Sequence, residues 1–305
     1  GAMPINSRPV RPSASWPRWR GACLAACLAA GLGACAAPAP EGPAADLGAA
    51  DLAGGADLGG ADLSGADLGG AGSPCAGLPL CDGFEGAAPG GPPDPALWQV
   101  VAPNCSGSGA VAIDGAVSHG GARSLRVTGK GGYCNHIFVA HSAALRTLGK
   151  AFYGRFYLRL GAALGQDHVT FLAMRDGNDN NKDLRMGGQS QILMWNRESD
   201  DATLPSLSPA GIALSLAPTP QQWTCVEFMV DQDSAELRTW IDGSELAGLV
   251  VDAEPTPDVD QQWHNKPDWK PVLEDIKLGW ESYAGQTMVL HVDDIALASA
   301  RIGCD

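Results

Sequence analysis

The chain has 305 residues, 45% hydrophobic but only 6% aromatic, and a formal charge of −14 at pH 7. Such acidity repels nucleic acid at long range, so no nucleic-acid partner is expected, and a site for an acidic polymer has to be locally basic. The length allows one or two domains.

Gly1-Ala2 reads as a scar ahead of Met3, the expected natural start. Arg8, Arg11, Arg18 and Arg20 then precede an uncharged apolar run from Gly21 to Ala34. The run closes on Leu32-Gly33-Ala34-Cys35, which predicts residues 1–35 to be a signal peptide with a lipobox and Cys35 to be acylated. Leu24-Ala25-Ala26-Cys27 is a rival box with a shorter apolar stretch before it. A spanning helix needs about 20 apolar residues, more than this run holds. The expected location is therefore outside the cytoplasm, as a bacterial cell-surface or outer-membrane lipoprotein, anchored by lipid or released extracellularly. Losing four arginines and no acid takes the charge from −14 to about −18.

Residues 36–80 read as a flexible Ala/Gly/Asp/Leu-rich spacer. Asp-Leu recurs from Asp46 to Asp67, but the period slips between Asp51 and Asp57, and too few units follow to stack a repeat fold.

From Cys81 to Asp305 the strand signals are dense, and no sustained helical period occurs. Phe152, Phe156, Leu158 and Leu160 share one strand face; Tyr153, Arg155, Tyr157 and Arg159 share the other. Further strands are expected at 169–171, 192–195, 226–230, 237–241, 278–282 and 288–292. Asp242-Gly243 predicts a hairpin turn into a strand over 246–250. The fold class is all-β: one antiparallel β-sandwich of jelly-roll, concanavalin A-like type over 81–305. Six cysteines after Cys35 allow fifteen pairings. The pairs expected are Cys105–Cys134, Cys225–Cys304 and a local Cys75–Cys81 loop.

Four groupings carry possible chemistry. The Tyr153/Arg155/Tyr157 face could stack on sugars and grip their polar groups, with Trp195 as a further platform. Asp183, Arg185, Gln189 and Gln191 share parity if the chain stays extended through Gly187-Gly188. Eliminative cleavage of a uronic acid polymer needs a carboxylate neutraliser, which Arg185 with Gln189 supplies. It also needs proton transfer, for which Tyr283 and His168 are candidates, with Asp201 in support. Finally, Glu85 and Asp293, with backbone carbonyls between Ser118 and Arg123, predict a structural calcium site, because first and last jelly-roll strands are often neighbours. The retaining-glycosidase pattern Glu-x-Asp-x-x-Glu is absent, since Thr203 follows Glu198-Ser199-Asp200 where the second Glu belongs.

Several long strings also carry a family resemblance. They are Gly132-Tyr133-Cys134-Asn135-His136, Tyr153-Gly154-Arg155-Phe156-Tyr157, His168-Val169-Thr170-Phe171-Leu172-Ala173-Met174, Asp183-Leu184-Arg185-Met186-Gly187-Gly188-Gln189, the stretch from Trp195 to Ala210, the stretch from Pro255 to Trp263, and Leu278-Gly279-Trp280-Glu281-Ser282-Tyr283. Through them the domain resembles the polysaccharide lyase-like jelly-roll family of the fungal cellulose-induced protein that carries a cellulose-binding module. That family is related to the glucuronan lyases (family-20 polysaccharide lyases). The resemblance implies a bound calcium ion, two disulfides in the domain, an open cleft, and kinship with enzymes that cleave β-1,4-linked glucuronic acid chains by β-elimination. The matching cleft positions are Arg185, Gln189, Asp201 and Tyr283. A position commonly His in relatives aligns with Asp183. No cellulose-binding module is visible; the anchor and spacer stand in its place.

The expected function is a lyase acting on a glucuronan-like polyuronate of plant or microbial cell walls, and the chain is expected to be a monomer. The rivals are a non-catalytic carbohydrate-binding lipoprotein and, behind it, a glycoside hydrolase. Arg185→Ala is expected to abolish turnover and leave thermal stability nearly unchanged.

Overall fold

The computed structural model describes residues 75–304 apart from 104, 106 and 134. The leader, Cys35, the Asp-Leu spacer and Cys134 therefore lie outside the described residues. Fifteen strands are formed among the described ones: β1 (Leu80–Asp82), β2 (Gln99–Val101), β3 (Ala110–Asp114), β4 (Ser124–Gly129), β5 (Ile137–His141), β6 (Ala151–Leu160), β7 (Val169–Asp176), β8 (Lys182–Gln189), β9 (Ile192–Arg197), β10 (Ala202–Leu204), β11 (Trp223–Asp231), β12 (Glu236–Ile241), β13 (Ser244–Glu245), β14 (Ile276–Ser282) and β15 (Met288–Ala298).

The strands build two sheets. The outer sheet runs β13-β12-β11-β6-β15-β4-β3, with β1 also paired to β15; the cleft sheet runs β10-β9-β8-β7-β14-β5-β2. Every described pairing is antiparallel, so this is the expected sandwich. The period-2 alternation of β6 explains its place. Phe152, Phe156, Leu158 and Leu160 are buried between the sheets, where they meet Phe171, Trp195, Phe228 and Trp280. Burying each such side chain stabilises the fold by about 1.5–3 kcal/mol.

Two local expectations change. Asp242 and Gly243 do turn the chain, both with positive φ, but the strand they start is only β13. Residues 247–249 form a 3-10 turn instead of the expected strand, and Gly248 and Leu249 are buried by it. The extended run through β8 also stops at Gln189, because Ser190 and Gln191 both take positive φ and form the hairpin turn to β9. Gln191 is thus exposed at a turn and does not share the Arg185 face.

Cys75–Cys81 and Cys225–Cys304 are disulfides. Cys105 is also disulfide-bonded, and the expected Cys105–Cys134 pair falls on a residue outside the described set. Leu80 is buried and starts β1, so folded structure reaches slightly ahead of the expected boundary at 81. The β1–β15 pairing brings the two ends of the domain together.

Candidate functional site

The polar face of the cleft sheet carries the candidate site. Strand alternation puts Leu184 and Met186 of β8 in the core and sends Asp183, Arg185 and Gln189 the other way. Antiparallel register then lays out a row across the sheet. Arg185 stands opposite Asn196 on one side and Ala173 on the other; Asn196 faces Thr203, and Ala173 faces Lys277. Gly187 lies between Arg185 and Gln189 because β7 comes too close for any side chain: a Cβ there would lie 1.8 Å from the Val169 carbonyl oxygen.

Arg185 is the centre of the network and is only 3% exposed. Its Nη1 donates to Glu281 Oε1 at 2.8 Å and to Tyr283 Oη at 3.4 Å, and its Nε donates to Asn196 Oδ1 at 3.0 Å. Asp201, whose side chain is 85% exposed, stands 3.7 Å from Nη2. Glu281 accepts from Thr170 at 3.4 Å and lies 3.3 Å from His136 Nδ1. The ring of Tyr283 is ringed by Tyr133, His136 and His168, at centroid distances of 5.6, 5.4 and 6.4 Å.

Burial, and then the negative charge of Glu281, push the Tyr283 hydroxyl up to about 12, so it is a neutral proton donor at ordinary pH. Burial, reinforced by the Arg185 charge, pushes His168 down to about 3, so its imidazole is neutral. His168 Nε2 is buried with no hydrogen-bond partner, leaving an acceptor or donor for a ligand. His168, Gln189, Asn196, Asp201, Thr203 and Gln262 together line a cavity of about 410 Å³.

Asp183 faces the same side but belongs to a neighbouring group. It accepts from Lys277 Nζ at 2.8 Å, and Lys277 also reaches Asp275 at 3.2 Å. Burial raises Asp183 above the usual carboxylate range, against the pull of Lys277. Asp183 and Lys277 line a second cavity of about 620 Å³.

The aromatic platforms expected from the sequence are elsewhere. Trp195 is 0% exposed in the core, with Nε1 donating to Thr239 at 2.9 Å, so no sugar can stack on it. Tyr153, Arg155 and Tyr157 sit on the far face of the outer sheet, where other segments roof them. The His119 ring stacks on Tyr157 at 3.4 Å, Arg155 donates to the Gly303 carbonyl at 3.3 Å, and Tyr153 packs toward Trp240. Neighbouring Glu227 binds Arg301 and the backbone of Ile302 and Gly303, and Cys225–Cys304 ties that tail down. The aromatic surface beside Arg185 is instead Tyr133, 74% exposed, and Tyr283, 40% exposed.

Glu281, His136, Asn196, Lys277 and Tyr133 were not singled out from the sequence. For Lys277 and Glu281 a signal existed, since they share parity with Tyr283 along the β14 strand. For His136 and Tyr133, which lead into β5 by an irregular loop, no periodicity pointed to the cleft.

At the joined termini, Glu85 Oε1 accepts from the Ala122 and Arg123 amides at 2.8 Å each. Asp293 Oδ2 accepts from the amides of His119 at 2.7 Å and Gly120 at 3.3 Å. Arg123 Nη1 is bound to the Ala87 carbonyl at 2.8 Å, and the Ser118 carbonyl accepts from Trp223 at 3.0 Å. Burial, with Asp294 beside it, lifts Asp293 to about 7, and neither Asp293 nor Glu85 has an ion-pair partner among the described residues. Asp293, buried without a cation beside it, and Glu85, exposed, are hard-oxygen donors of the kind calcium takes. No three acidic, imidazole or thiol side chains converge among the described residues, so a cation there would depend on backbone carbonyls as well.

A family model for the Cip1-like core domain of polysaccharide lyase-like proteins matches residues 90–300. A solved structure described as cellulose induced protein, Cip1, is 38% identical with a TM-score of 0.67, covering 74% of this chain and 100% of that one. An endo-β-1,4-glucuronan lyase from the fungus Trichoderma reesei is 13% identical with a TM-score of 0.41, covering 73% of this chain and 96% of its own. The CBM22-1 xylan-binding domain from Paenibacillus barcinonensis Xyn10C is 13% identical with a TM-score of 0.34, covering 75% and 96%. No curated protein matches the chain. The family match and the extent of the likeness to the cellulose-induced protein establish that this chain belongs to the Cip1-like, polysaccharide lyase-like family.

Proposed function

We propose that the chain is a polysaccharide lyase that cleaves a glucuronan-like polyuronate by β-elimination. The observation that supports this reading is the meeting of Arg185, Gln189, His168 and Tyr283 on one face of the cleft sheet. A uronate carboxylate would displace exposed Asp201 from Arg185 and take hydrogen bonds from Arg185 and Gln189. Holding that negative charge acidifies the neighbouring C5 proton. His168 Nε2 accepts this proton. A substrate carboxylate that offsets the Arg185 charge removes the smaller of the two causes of its low basicity, and burial, the larger, remains. The C4–O4 bond breaks as a C4=C5 double bond forms, and the neutral Tyr283 hydroxyl gives its proton to the leaving oxygen. Glu281 and Asn196 fix the guanidinium for this role. Asp183, paired to Lys277, is a neighbour of this centre and takes no part in the proton transfer.

A structural calcium ion, held by Glu85, Asp293 and carbonyls between Ser118 and Arg123, would fasten the domain's ends. In the cell, the leader and Cys35 would place the domain outside the membrane on its acidic spacer.

The rival reading is a carbohydrate-binding lipoprotein without turnover. It is favoured by one observation: Arg185 is already paired with Glu281, so the cleft floor carries little net positive charge. The test incubates the protein with glucuronan, alginate and cellulose while following ultraviolet absorbance and reducing ends. A lyase raises both and Tyr283→Phe stops it. Reducing ends alone indicate hydrolysis. Gel retardation without either signal indicates binding only and ends the lyase reading.

A further inference from the structure

The trough over the cleft sheet does not stop at Lys277. Ser142 and Arg175 line both the cavity around Lys277 and a further one of about 560 Å³. That outer cavity has Leu145, Leu148 and Leu273 in its wall, together with Arg146, Lys150 and Arg175 against the single acid Glu274. Glu274 is taken by Arg175 at 2.7 Å. Arg146 and Lys150 are exposed and form no ion pair among the described residues; Arg146 donates only to Ser142 at 3.3 Å.

Elsewhere the trough is electrostatically balanced. Arg185 faces Glu281 and Asp201, and Lys277 faces Asp183 and Asp275. On a chain of net charge −14, an acidic polymer has little to attract it at the centre of the cleft. The uncompensated positive charge sits in the outer cavity. The geometry joins the two: Arg185, Ala173 and Lys277 lie on successive strands, so Lys277 is about 10 Å from Arg185, and the outer cavity opens from there toward the strand ends, past the Ser142 and Arg175 that line both cavities.

We infer that the outer cavity is a distal anion subsite of this cleft, built to seat a carboxylated sugar unit of an acidic polysaccharide. The apolar face of the sugar packs on Leu145, Leu148 and Leu273, and its carboxylate lies between Arg146 and Lys150. Recognition of the polymer's charge is thereby separated from the buried, preoccupied guanidinium of Arg185. The inference rests on the polysaccharide reading of the cleft and is independent of whether that cleft performs chemistry.

The test is the charge-reversal pair Arg146→Glu with Lys150→Glu, and the neutral pair Arg146→Gln with Lys150→Gln, in the whole chain. Binding of polyglucuronate and of a cello-oligosaccharide is measured by calorimetry at low salt and at about 1 M salt, where the Debye length is about 3 Å. Reversal should weaken polyglucuronate binding at low salt by roughly ten-fold or more, with a smaller loss for the neutral pair. The difference should vanish at high salt, and cello-oligosaccharide binding and melting temperature should not change. Equal affinity of the reversed and native proteins for polyglucuronate at low salt overturns the subsite, as does an equal loss for the uncharged oligosaccharide. Charge-dependent binding without unsaturated products keeps the subsite and removes the lyase reading. Unsaturated products with a KM indifferent to the reversal keep the lyase reading and remove the subsite.

Discussion

Replacing Arg185 by Ala should unfold the domain at markedly lower temperature as well as silence it. Surface arginines are replaced at little cost, and nothing in the strand pattern marks Arg185 as different. Its burial and its 2.8 Å contact with Glu281, itself only 5% exposed, reverse that expectation. Without Arg185, the Glu281 carboxylate keeps only Thr170 and His136 as partners in a site water barely reaches. Breaking a buried ion pair from one side costs about 3–5 kcal/mol. In a domain of about 225 residues each kcal/mol moves the melting temperature by about 2–4 °C, so the drop should be about 6–20 °C. Melting of the wild type, Arg185→Ala, Glu281→Gln and the double variant, followed by tryptophan fluorescence at pH 7, completes a thermodynamic cycle. Glu281→Gln should cost less, since Arg185 retains Asn196 and Asp201. The double variant should be more stable than the sum of the singles requires, because neither charge is stranded. An Arg185→Ala protein that melts within 2 °C of the wild type, or strictly additive losses, would refute the argument.

Trp195→Ala should destabilise the domain by about 3–5 kcal/mol through a core cavity against Phe228, with no selective loss of glycan binding in whatever protein still folds; a well-folded variant that loses only binding contradicts the core assignment. Acidification should cost stability through His168. The unfolded chain takes up its proton near 6.5 and the folded one only near 3, so stability falls as pH drops through that window. The loss is about 2–4 kcal/mol, less than the full shift would give because the ring is partly solvated. Urea titrations of wild type and His168→Gln across this range should differ in slope, and parallel curves would exclude the effect. Calcium at about 100 times its dissociation constant should stabilise the domain by about 2.7 kcal/mol. Chelator should reverse the gain and Asp293→Asn should abolish it; identical melting with calcium and with chelator rules the ion out.

Much of the fold was legible because strands repeat with period two. Phe152, Phe156, Leu158 and Leu160 declared a buried face by spacing alone, and Asp242-Gly243 declared a turn by its tolerance of positive φ. The short strand after that turn was misjudged because Leu246 to Val250 are apolar without alternation, and such runs suit a buried 3-10 turn equally well. Within the candidate site, Arg185 and Gln189 could be placed on one face because both lie on a single strand. Trp195 was misplaced for the complementary reason: a charged loop follows it, but its own parity points it into the core with Leu193.

The sequence by itself determined the class of the fold, the two faces of each long strand, and the strings that carry the family likeness, because these depend on neighbours along the chain. Tertiary structure alone decided that Glu281 neutralises Arg185, that Lys277 holds Asp183, and that the segment tied down at Cys304 roofs the tyrosine face of β6. It also decided that Arg146 and Lys150, which form no ion pair among the described residues, line one cavity away from the guanidinium at the cleft's centre. Charge pairing and burial depend on which strands become neighbours in the sheet, and that order joins residues roughly a hundred positions apart, beyond the reach of any local period.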